Sequence, residues 1–472
     1  MENRDNTIDF DDGLCYNNIM KTIDRKAFHE LLDWKKNLAG RYALLVEGAR
    51  RVGKTYLVQQ FVAKEYDSSI FIDFSLKNEQ TTKAKKAFAE ARDTADLLVR
   101  LQLIFETKLI EGRSCVVFDE VQLFPTARES IKSLVAYGRY HYIETGSLVG
   151  IRENVKDILI PSEEHGVTIN PLDFEEFLDA MGQTMLKEHI RSSFEKGEPI
   201  LPELHDRAMG LFRLYMVVGG MPQSVVAYLE AGAGDGLEAS EMAKREIIRL
   251  YEEDIGKYAH GYASKVRAIF RMIPSALRRH EKKFHLASIS PGARMRRYEN
   301  AFLWLDDARV ANIAYNATSP DLGIGMSLDH SSFKCYSADT GLLITQAMGN
   351  GKKTDVRILR GVLHENLGLD EGMFFENVIA QTLTAKGDRL FFYSRKDKSN
   401  PENTMEVDFL TTRGIKVCPV EVKSGKYRAH ASLDRMNAMF GRSLGTRYVI
   451  CGGMFEREGN LVYLPAYMAH CL

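Results

Sequence analysis

The sequence predicts a multidomain α/β protein in which a parallel sheet, a helical region and a second α/β unit follow one another. The length of 472 residues is too great for one ordinary hydrophobic core. Apolar strands alternate with amphipathic helices in the first third, which is the pattern of a parallel sheet. Short β-branched strands return after residue 390, and they predict the second α/β unit.

Composition narrows the class of protein without deciding its partner. Apolar residues make up 45% and charged residues 27% of the chain, as in soluble globular proteins. The net charge of −1 argues neither for nor against nucleic acid. The longest apolar stretch, around residues 214–229, contains two glycines and a proline and is too short to span a bilayer. The six cysteines form no CxxC pair and no signal peptide is seen, so we expect a cytoplasmic protein with reduced thiols and no membrane partner.

The stretch "ALLVEGARRVGKTYLVQQFV" reads as a strand, a glycine-containing turn and an amphipathic helix. The turn matches G-x-x-x-x-G-K-[ST] in full, which is the pattern of a P-loop. Its glycines let backbone amides surround phosphates, and the helix N-terminus adds its positive end. The lysine reaches the β- and γ-phosphates, and the threonine hydroxyl coordinates Mg²⁺. The expected nucleotide-binding residues are Gly48, Ala49, Arg50, Arg51, Val52, Gly53, Lys54 and Thr55.

Two later strands end in polar residues that suit the same site. "SCVVFDEVQ" ends in Asp119 and Glu120, and an acid at the tip of a parallel strand lies beside the phosphate loop in this fold. We expect Asp119 to hold Mg²⁺ and Glu120 to orient the attacking water. An ordinary helix N-cap after the strand is the alternative. "HYIETGS" ends in Thr145 and Ser147, which could sense the γ-phosphate.

These motifs together resemble one family. The loop "GARRVGKT", the strands "FDEVQ" and "TGS", and the stretches "PLDFEEFL" and "VGGMP" follow the order of predicted AAA-type ATPases with a C-terminal DUF4143 domain. The resemblance covers most of the chain and implies ATP as the nucleotide. It also implies that Pro222, in a Gly-Met-Pro turn, lies over the nucleotide base. It selects no arginine finger, since Arg128 and Arg213 are both open.

A basic stretch follows the helical region. Ten Lys or Arg residues and one acid lie between residues 265 and 297. Such a concentration of positive charge predicts contact with a phosphate backbone, and a solvated basic helix face is the equal alternative. Residues 264–343 also have the helix-helix-helix-hairpin rhythm of a winged helix, which the resemblance implies as well. DNA is therefore the expected macromolecular partner.

Charged residues recur in the strands of the last quarter. The helix "GMFFENVIAQTLTAKG" carries Glu376, the strand "MEVDFLTT" carries Asp408, and the strand "IKVCPVEVKSG" ends in Glu421 and Lys423. Residues two apart on a strand share a face, so Glu421 and Lys423 point the same way. Buried charges are costly unless they pair or bind an ion. The pattern indicates either an ion site or an exposed ion pair of little energetic weight.

The order helix Glu, strand Asp, strand Glu-x-Lys resembles the PD-(D/E)XK nucleases, whose restriction-endonuclease-like fold DUF4143 domains are expected to share. The resemblance implies Mg²⁺ or Mn²⁺ at the carboxylates and a lysine that positions the attacking water. The residues concerned are Glu376, Asp408 and Glu421 as metal ligands, and Asp408, Glu421 and Lys423 as catalytic groups. It also implies that Gln381 helps to hold the DNA backbone. The usual Pro-Asp dipeptide is absent, because Val407 precedes Asp408.

The sequence thus predicts five segments. They are an N-terminal extension (1–34), a P-loop ATPase core (35–170), a helical lid (171–260), a winged-helix-like module (261–345) and a DUF4143 nuclease-like domain (346–472). The predicted function is ATP hydrolysis coupled to DNA binding or metal-dependent DNA cleavage. The alternative is a nucleotide-controlled binding or signalling switch with a catalytically silent C-terminal domain. A processive hexameric motor is the third hypothesis, and the sequence leaves the oligomeric state open.

Overall fold

The computed structural model describes residues 23–147, 162–279, 283–284, 297–349, 354–364, 371–397, 399, 404–425 and 428–472. Most of the predicted N-terminal extension lies outside these ranges. Lys282, Arg294 and Arg296 of the basic stretch also lie outside them. Within the described ranges the chain forms three sheets. One large hydrophobic core continues from the first sheet through the helical region into the C-terminal part.

The first sheet is fully parallel and covered on both faces. Its strands are β1 (Ala43–Gly48), β2 (Ser68–Asp73), β3 (Ser114–Asp119), β4 (His141–Gly146) and β5 (Glu164–Ile169). They lie in the order β2-β3-β4-β1-β5. Leu44 and Val46 of β1 enter one core, and Ala43 and Leu45 enter another on the opposite face. This burial on both faces is what a parallel sheet requires, and it confirms the predicted α/β class.

In the described ranges, six helices flank this sheet. They are α1 (Ala27–Asn37), α2 (Lys54–Glu65), α3 (Glu79–Glu90), α4 (Thr94–Ile104), α5 (Pro125–Glu129) and α6 (Ile131–Tyr137). The buried residues of α1 and α2 belong to the large core, and those of α3, α4 and α6 belong to the core on the other face. Asn78 and Asp93 cap α3 and α4 by accepting a backbone N–H from the third helical residue.

The helical region contains α7 (Phe174–Ala180), α8 (Thr184–Lys196), α9 (Pro202–Val218) and α10 (Pro222–Tyr258). Helix α7 begins at a capping box formed by Asp173 and Glu176, inside the "PLDFEEFL" motif. The sequence predicts a loop around residues 232–236, but α10 is interrupted by one residue, Gly232, with φ +72° and ψ −178°. Glycine adopts this conformation without a steric penalty, so the two halves meet at a kink.

The middle of the chain joins the C-terminal part through a shared sheet. Its elements are α11 (Ala263–Leu277), α12 (Glu299–Asp307), β6 (Ala311–Ala317), β7 (Leu328–Ser337), α13 (Thr340–Gly349) and α14 (Val356–Leu363). Strands β6 and β7 form an antiparallel hairpin. Strand β6 also pairs in parallel with β8 (Phe391–Arg395), which pairs with β9 (Met405–Val407). Helices α11 and α12 precede the hairpin in the described ranges, but residues 285–296 lie outside them and the winged-helix assignment stays a prediction.

The C-terminal part adds a mixed sheet between helices. Its elements are α15 (Gly372–Ala385), β10 (Phe409–Arg413), β11 (Lys416–Val422), α16 (Ala431–Phe440), β12 (Arg447–Cys451), β13 (Glu456–Glu458), β14 (Leu461–Pro465) and a 3₁₀ helix (Ala466–Cys471). The strand order is β10-β11-β12-β14-β13. The single strand expected over "MEVDFLTT" is divided at Asp408, because β9 pairs with β8 and β10 pairs with β11. The carboxylate of Asp408 accepts the N–H of Val422 at 2.9 Å, which fixes this junction to the end of β11.

Candidate nucleotide site and carboxylate cluster

The phosphate loop connects β1 to α2 through backbone conformations that favour glycine. Gly48 has φ +151°, and a Cβ there would lie 2.3 Å from the carbonyl oxygen of Ile169. Arg51 and Gly53 have φ values of +68° and +95°, and α2 begins at the next residue, Lys54. The loop therefore presents its amides at a helix N-terminus, which is the geometry that binds phosphate.

Lys54 lies inside this loop with its charge directed at neutral oxygens. Its side chain is buried, and Nζ donates hydrogen bonds of 3.0 Å to the carbonyls of Gly48 and Ala49. Burial lowers the pKa of Lys54, although Glu120 and Asp119 nearby oppose that shift. Backbone carbonyls do not neutralise an ammonium group, so phosphate oxygens would be stronger partners.

The carboxylate of Asp119 accepts hydrogen bonds from hydroxyl groups on two neighbouring elements. Thr55 Oγ1 lies 3.0 Å from both carboxylate oxygens, and Thr145 also donates to this carboxylate. Burial raises the pKa of Asp119. A buried carboxylate beside a hydroxyl is an oxygen donor set that suits Mg²⁺. The residues present therefore fit the ion, and Thr55 and Asp119 are the ones that would hold it.

Glu120 follows Asp119 in a left-handed backbone conformation, with φ +52°. Its N–H donates to Thr145 Oγ1 at 3.3 Å, and its carboxylate accepts from the side chain of Gln122. Glu120 precedes a short 3₁₀ helix (Val121–Leu123) but makes no side-chain capping hydrogen bond there. The structure thus brings Thr55, Asp119, Glu120 and Thr145 to one edge of the sheet; their catalytic roles stay predictions.

The helical region closes over the loop through a turn and a helix. An ideal Cβ on Gly53 would lie 3.5 Å from Pro222 Cγ, so the lid turn (residues 219–222) lies next to the phosphate loop. Arg50 Nη1 pairs with Asp254 Oδ1 of α10 at 2.6 Å. Tyr251, one turn earlier on α10, donates its hydroxyl to the carbonyl of Arg50 at 3.2 Å. The lid helix therefore presents a carboxylate to the loop.

The sequence did not single out Arg25, whose side chain supports the phosphate loop. Its guanidinium donates to the carbonyls of Val52 at 3.0 Å and Asn170 at 2.5 Å, and it pairs with Glu176 at 3.1 Å. An arginine in a polar N-terminal stretch carries no sequence signal for this role.

Arg128, one candidate arginine finger, forms a buried ion pair with Glu164 of the same chain through two hydrogen bonds, of 3.0 and 2.7 Å.

The C-terminal carboxylates surround a lysine that the sequence did not single out. Lys334 of β7 is 0% exposed, and its Nζ lies 3.1 Å from Glu376, 3.0 Å from Glu406 and 3.4 Å from Asp408. We call these three acids with Lys334 the carboxylate cluster. Burial lowers the pKa of Lys334, but its acidic neighbours raise it more, and it lies well above the ordinary value. Tyr336 donates its hydroxyl to Glu376 at 2.5 Å.

Glu421 lies beside this cluster with Lys423. Oε1 accepts from Lys423 Nζ at 2.7 Å, whereas Oε2 is buried and has no hydrogen-bond partner among the described residues. Burial and the nearby charge of Asp408 raise the pKa of Glu421 to about 7. In the described ranges, no group of three or more His, Cys, Asp or Glu side chains is placed to hold a metal ion. The ligand roles of Glu376, Asp408 and Glu421 stay predictions.

The basic stretch is partly neutralised by the lid helix. Arg271 of α11 forms two hydrogen bonds, of 2.7 and 2.9 Å, with Glu252 of α10. Lys265 donates to the carbonyl of Arg297 at 2.9 Å.

In the described part of the chain, no helix is both long and apolar enough to cross a membrane.

Comparison with known families finds matching domains along the chain. Family models match an AAA domain at residues 40–178, a domain of unknown function (DUF8612) at 209–353 and another (DUF4143) at 371–467. The chain thus carries an AAA domain in its N-terminal part and a DUF4143 domain in its C-terminal part. This confirms the resemblance seen in the sequence, and the AAA match supports ATP binding at the phosphate loop. The carboxylate of Asp408 and that of Glu376 both belong to the DUF4143 match, whereas Lys334 belongs to the DUF8612 match.

Solved structures that are similar to parts of this chain include the following three. The Walker-type ATPase PABY2304 of Pyrococcus abyssi is 18% identical, with 69% of this chain and 96% of that chain covered and a TM-score of 0.40. Drosophila ORC bound to DNA is 11% identical, with 62% and 86% covered and a TM-score of 0.27. Cdc6p from Pyrobaculum aerophilum is 12% identical, with 74% and 96% covered and a TM-score of 0.24. No curated protein matches the chain.

Proposed function

We propose that this protein is an ATP-hydrolysing switch in which the nucleotide state of the AAA domain controls a catalytically silent C-terminal domain. The observation that carries the proposal is the position of Lys334 at the centre of the carboxylate cluster. An ammonium group already lies where a catalytic divalent ion would need the same carboxylate oxygens.

In the AAA domain, residues of the phosphate loop and the neighbouring strands carry out the steps of ATP hydrolysis. Lys54 leaves its two carbonyl partners and binds the β- and γ-phosphates. Thr55 and Asp119 would hold Mg²⁺, which supplies neutralisation of charge on the phosphates. Glu120, positioned by Thr145, accepts a hydrogen bond from the attacking water. Pro222 lies next to the phosphate loop and would close the site over the nucleotide.

At the C-terminal domain, the residues do not fit a divalent ion as they stand. Lys334 is fully buried, and its three ion pairs offset the cost of burying the acids. Asp408 also accepts the N–H of Val422, so both of its oxygens have partners. A domain held together in this way needs no metal for its stability and serves as a binding platform.

The test measures ATP hydrolysis, Mn²⁺ binding and DNA cleavage on the full chain. We expect Mg²⁺-dependent ATP hydrolysis that Lys54→Ala abolishes. We expect Mn²⁺ to bind to the wild type in the presence of ATP. Lys54→Ala should abolish this Mn²⁺ binding, and Asp408→Ala should leave it unchanged. No cleavage of linear, supercoiled or branched DNA should occur. Cleavage that disappears in Asp408→Ala would refute the silent domain.

A second candidate, metal-dependent DNA cleavage, is favoured by one observation. Oε2 of Glu421 is buried beside Asp408 and unpartnered within the described ranges, and Lys423 lies 2.7 Å from the other oxygen. A cation would satisfy that oxygen. DNA as the substrate would also use the basic stretch of α11, although Arg271 is already paired with Glu252. The same cleavage assay decides between the two candidates.

A further inference from the structure

The lid turn is held by a residue from a distant part of the chain. Asp339, just before α13, accepts the N–H of Gly220 at 2.6 Å. The other oxygen of Asp339 accepts the N–H of Leu342 at 2.9 Å, which caps α13. Asp339 is 1% exposed, and burial raises its pKa. A single carboxylate therefore fixes both the turn at the nucleotide site and the start of α13.

The packing around this bond leaves the turn no room to move alone. A Cβ on Gly219, where φ is +82°, would lie 2.4 Å from Asp339 Oδ1. A Cβ on Gly341 would lie 2.7 Å from Gly219 Cα, and one on Gly220 would lie 2.2 Å from the carbonyl oxygen of Leu172. The "VGGMP" glycines thus permit direct backbone contact with the segment that follows β7.

Gln381 of α15 extends the contact into the DUF4143 domain. Its amide oxygen accepts from the N–H and the hydroxyl of Thr340, at 2.8 and 2.9 Å. Its amide nitrogen donates to the hydroxyl of Tyr215 at 2.9 Å and lies 3.5 Å from Asp339. The sequence assigned Gln381 to the DNA backbone, but the side chain is 3% exposed and faces the lid.

One turn earlier, α15 reaches the carboxylate cluster. Asn377 donates to the hydroxyl of Thr340 at 2.9 Å and accepts the N–H of Ser337, at the end of β7, at 2.8 Å. The preceding residue on α15 is Glu376, which pairs with Lys334 of the same strand β7. Hydrogen bonds thus run from the lid turn as far as Asn377. The peptide bond between Asn377 and Glu376 completes the connection to the cluster.

We propose that Asp339, Thr340 and Gln381 are positioning residues that link the lid turn at the nucleotide site to the Lys334–Glu376 pair. The proposal rests on the switch function above and names the route by which the nucleotide state reaches the C-terminal domain. When ATP moves Pro222, the Gly220–Asp339 bond carries α13 and α15 with it, because a buried polar group left without its partner is costly. Glu376 then shifts against Lys334.

The experiment is hydrogen exchange of the full chain with and without a non-hydrolysable ATP analogue and Mg²⁺. In the wild type we expect exchange in peptides from β7 and α15 to change by about fivefold or more, the lower end of measured couplings between sites. In Gln381→Leu, which removes both polar groups, we expect the analogue to bind while the change in β7 and α15 disappears. Analogue affinity is measured in parallel by calorimetry.

A second variant and a matched control make the result decisive. Thr340→Val keeps the shape of the side chain but removes the hydroxyl shared by Gln381 and Asn377, and it should also lose the response. Thr382→Val is the control, because the Thr382 hydroxyl donates to Val378 within α15 at 2.8 Å. It should respond like the wild type. A full response in Thr340→Val, or in a Gln381→Leu protein that binds the analogue, would overturn the linkage.

The outcomes separate this proposal from the function on which it rests. Wild-type protein that hydrolyses ATP but shows no exchange change in β7 or α15 refutes the linkage and leaves the ATPase standing. Wild-type protein that neither binds the analogue nor hydrolyses ATP refutes the proposed function itself.

Discussion

Two buried lysines, Lys54 in the AAA domain and Lys334 in the carboxylate cluster, occupy opposite electrostatic environments. Lys54 donates to two backbone carbonyls, and its pKa is lowered by burial. Lys334 contacts three carboxylates, which raise its pKa well above the ordinary value. Each side chain is almost fully removed from solvent.

The difference separates a site prepared for a ligand from one in which the ammonium charge is already compensated by carboxylates. A buried ammonium with neutral partners favours an incoming anion, so the phosphate loop is unfavourable until phosphate arrives. A buried ammonium with acidic partners has its charge compensated inside the protein. The two lysines therefore indicate where this protein binds its ligand and where it maintains its structure.

The largest expected effect comes from removing the Lys54 charge. Lys54→Met should lower the ATP turnover rate by about 100-fold or more, because positioned cationic groups stabilise the charge on transferring phosphate. Steady-state phosphate release measures this rate. Lys64→Met, on the exposed face of the same helix α2, is the control and should leave the rate unchanged. Equal rates in both variants would break the comparison.

Removing the Lys334 charge should affect stability instead. Lys334→Met leaves three acids facing one another, and we expect the free energy of unfolding in urea to fall by about 3 to 5 kcal/mol. Lys83→Met removes an exposed pair with Glu79 and should leave the free energy of unfolding nearly unchanged. Millimolar Mn²⁺ should raise the melting temperature of Lys334→Met and not that of the wild type. Similar small losses in both variants would show that Lys334 is not a structural cation.

Glu421, which lies beside the carboxylate cluster, gives a pH dependence. The pKa of Glu421 in the folded protein is raised from 4.5 to about 7, so folding favours its protonated form. That contribution is present below pH 4.5 and is lost as the pH rises towards 7. Relative to Glu421→Gln, which cannot ionise, wild-type stability should fall by about 1 to 3 kcal/mol across this window.

Urea denaturation at pH 4.5, 5.5 and 7 measures the difference. Glu203→Gln, at an exposed position of α9, serves as the control and should follow the wild type. Parallel curves for wild type and Glu421→Gln would contradict the raised pKa.

The smallest effect concerns the lid carboxylate that pairs with the phosphate loop. Asp254→Asn removes the partner of Arg50 and a negative charge beside Lys54, so ATP should bind about 2- to 5-fold more tightly. A titration with fluorescent ATP measures the dissociation constant. Glu253→Gln alters the neighbouring residue, which pairs with Arg249 and not with Arg50, and should not change the affinity. Weaker binding in Asp254→Asn would show that the lid acid assists the nucleotide.

The AAA site was largely predictable because its residues lie close in sequence or at the ends of apolar strands. The loop glycines, Lys54 and Thr55 form one motif, and Asp119 and Thr145 end strands that lie on the same sheet edge. Local chemistry and the geometry of a parallel sheet are enough to place such residues together.

The sequence by itself determined that a nucleotide loop precedes an α/β domain with charged strands. It also identified the lid turn and the acids at positions 376, 408 and 421. The tertiary structure alone decided that Lys334, in the unremarked stretch "FKCY", lies among those acids, and that Arg25 and Asp339 support the nucleotide site. These contacts join residues 27 to 151 positions apart, and no periodicity or motif encodes such pairs, because they form only when separate elements pack together.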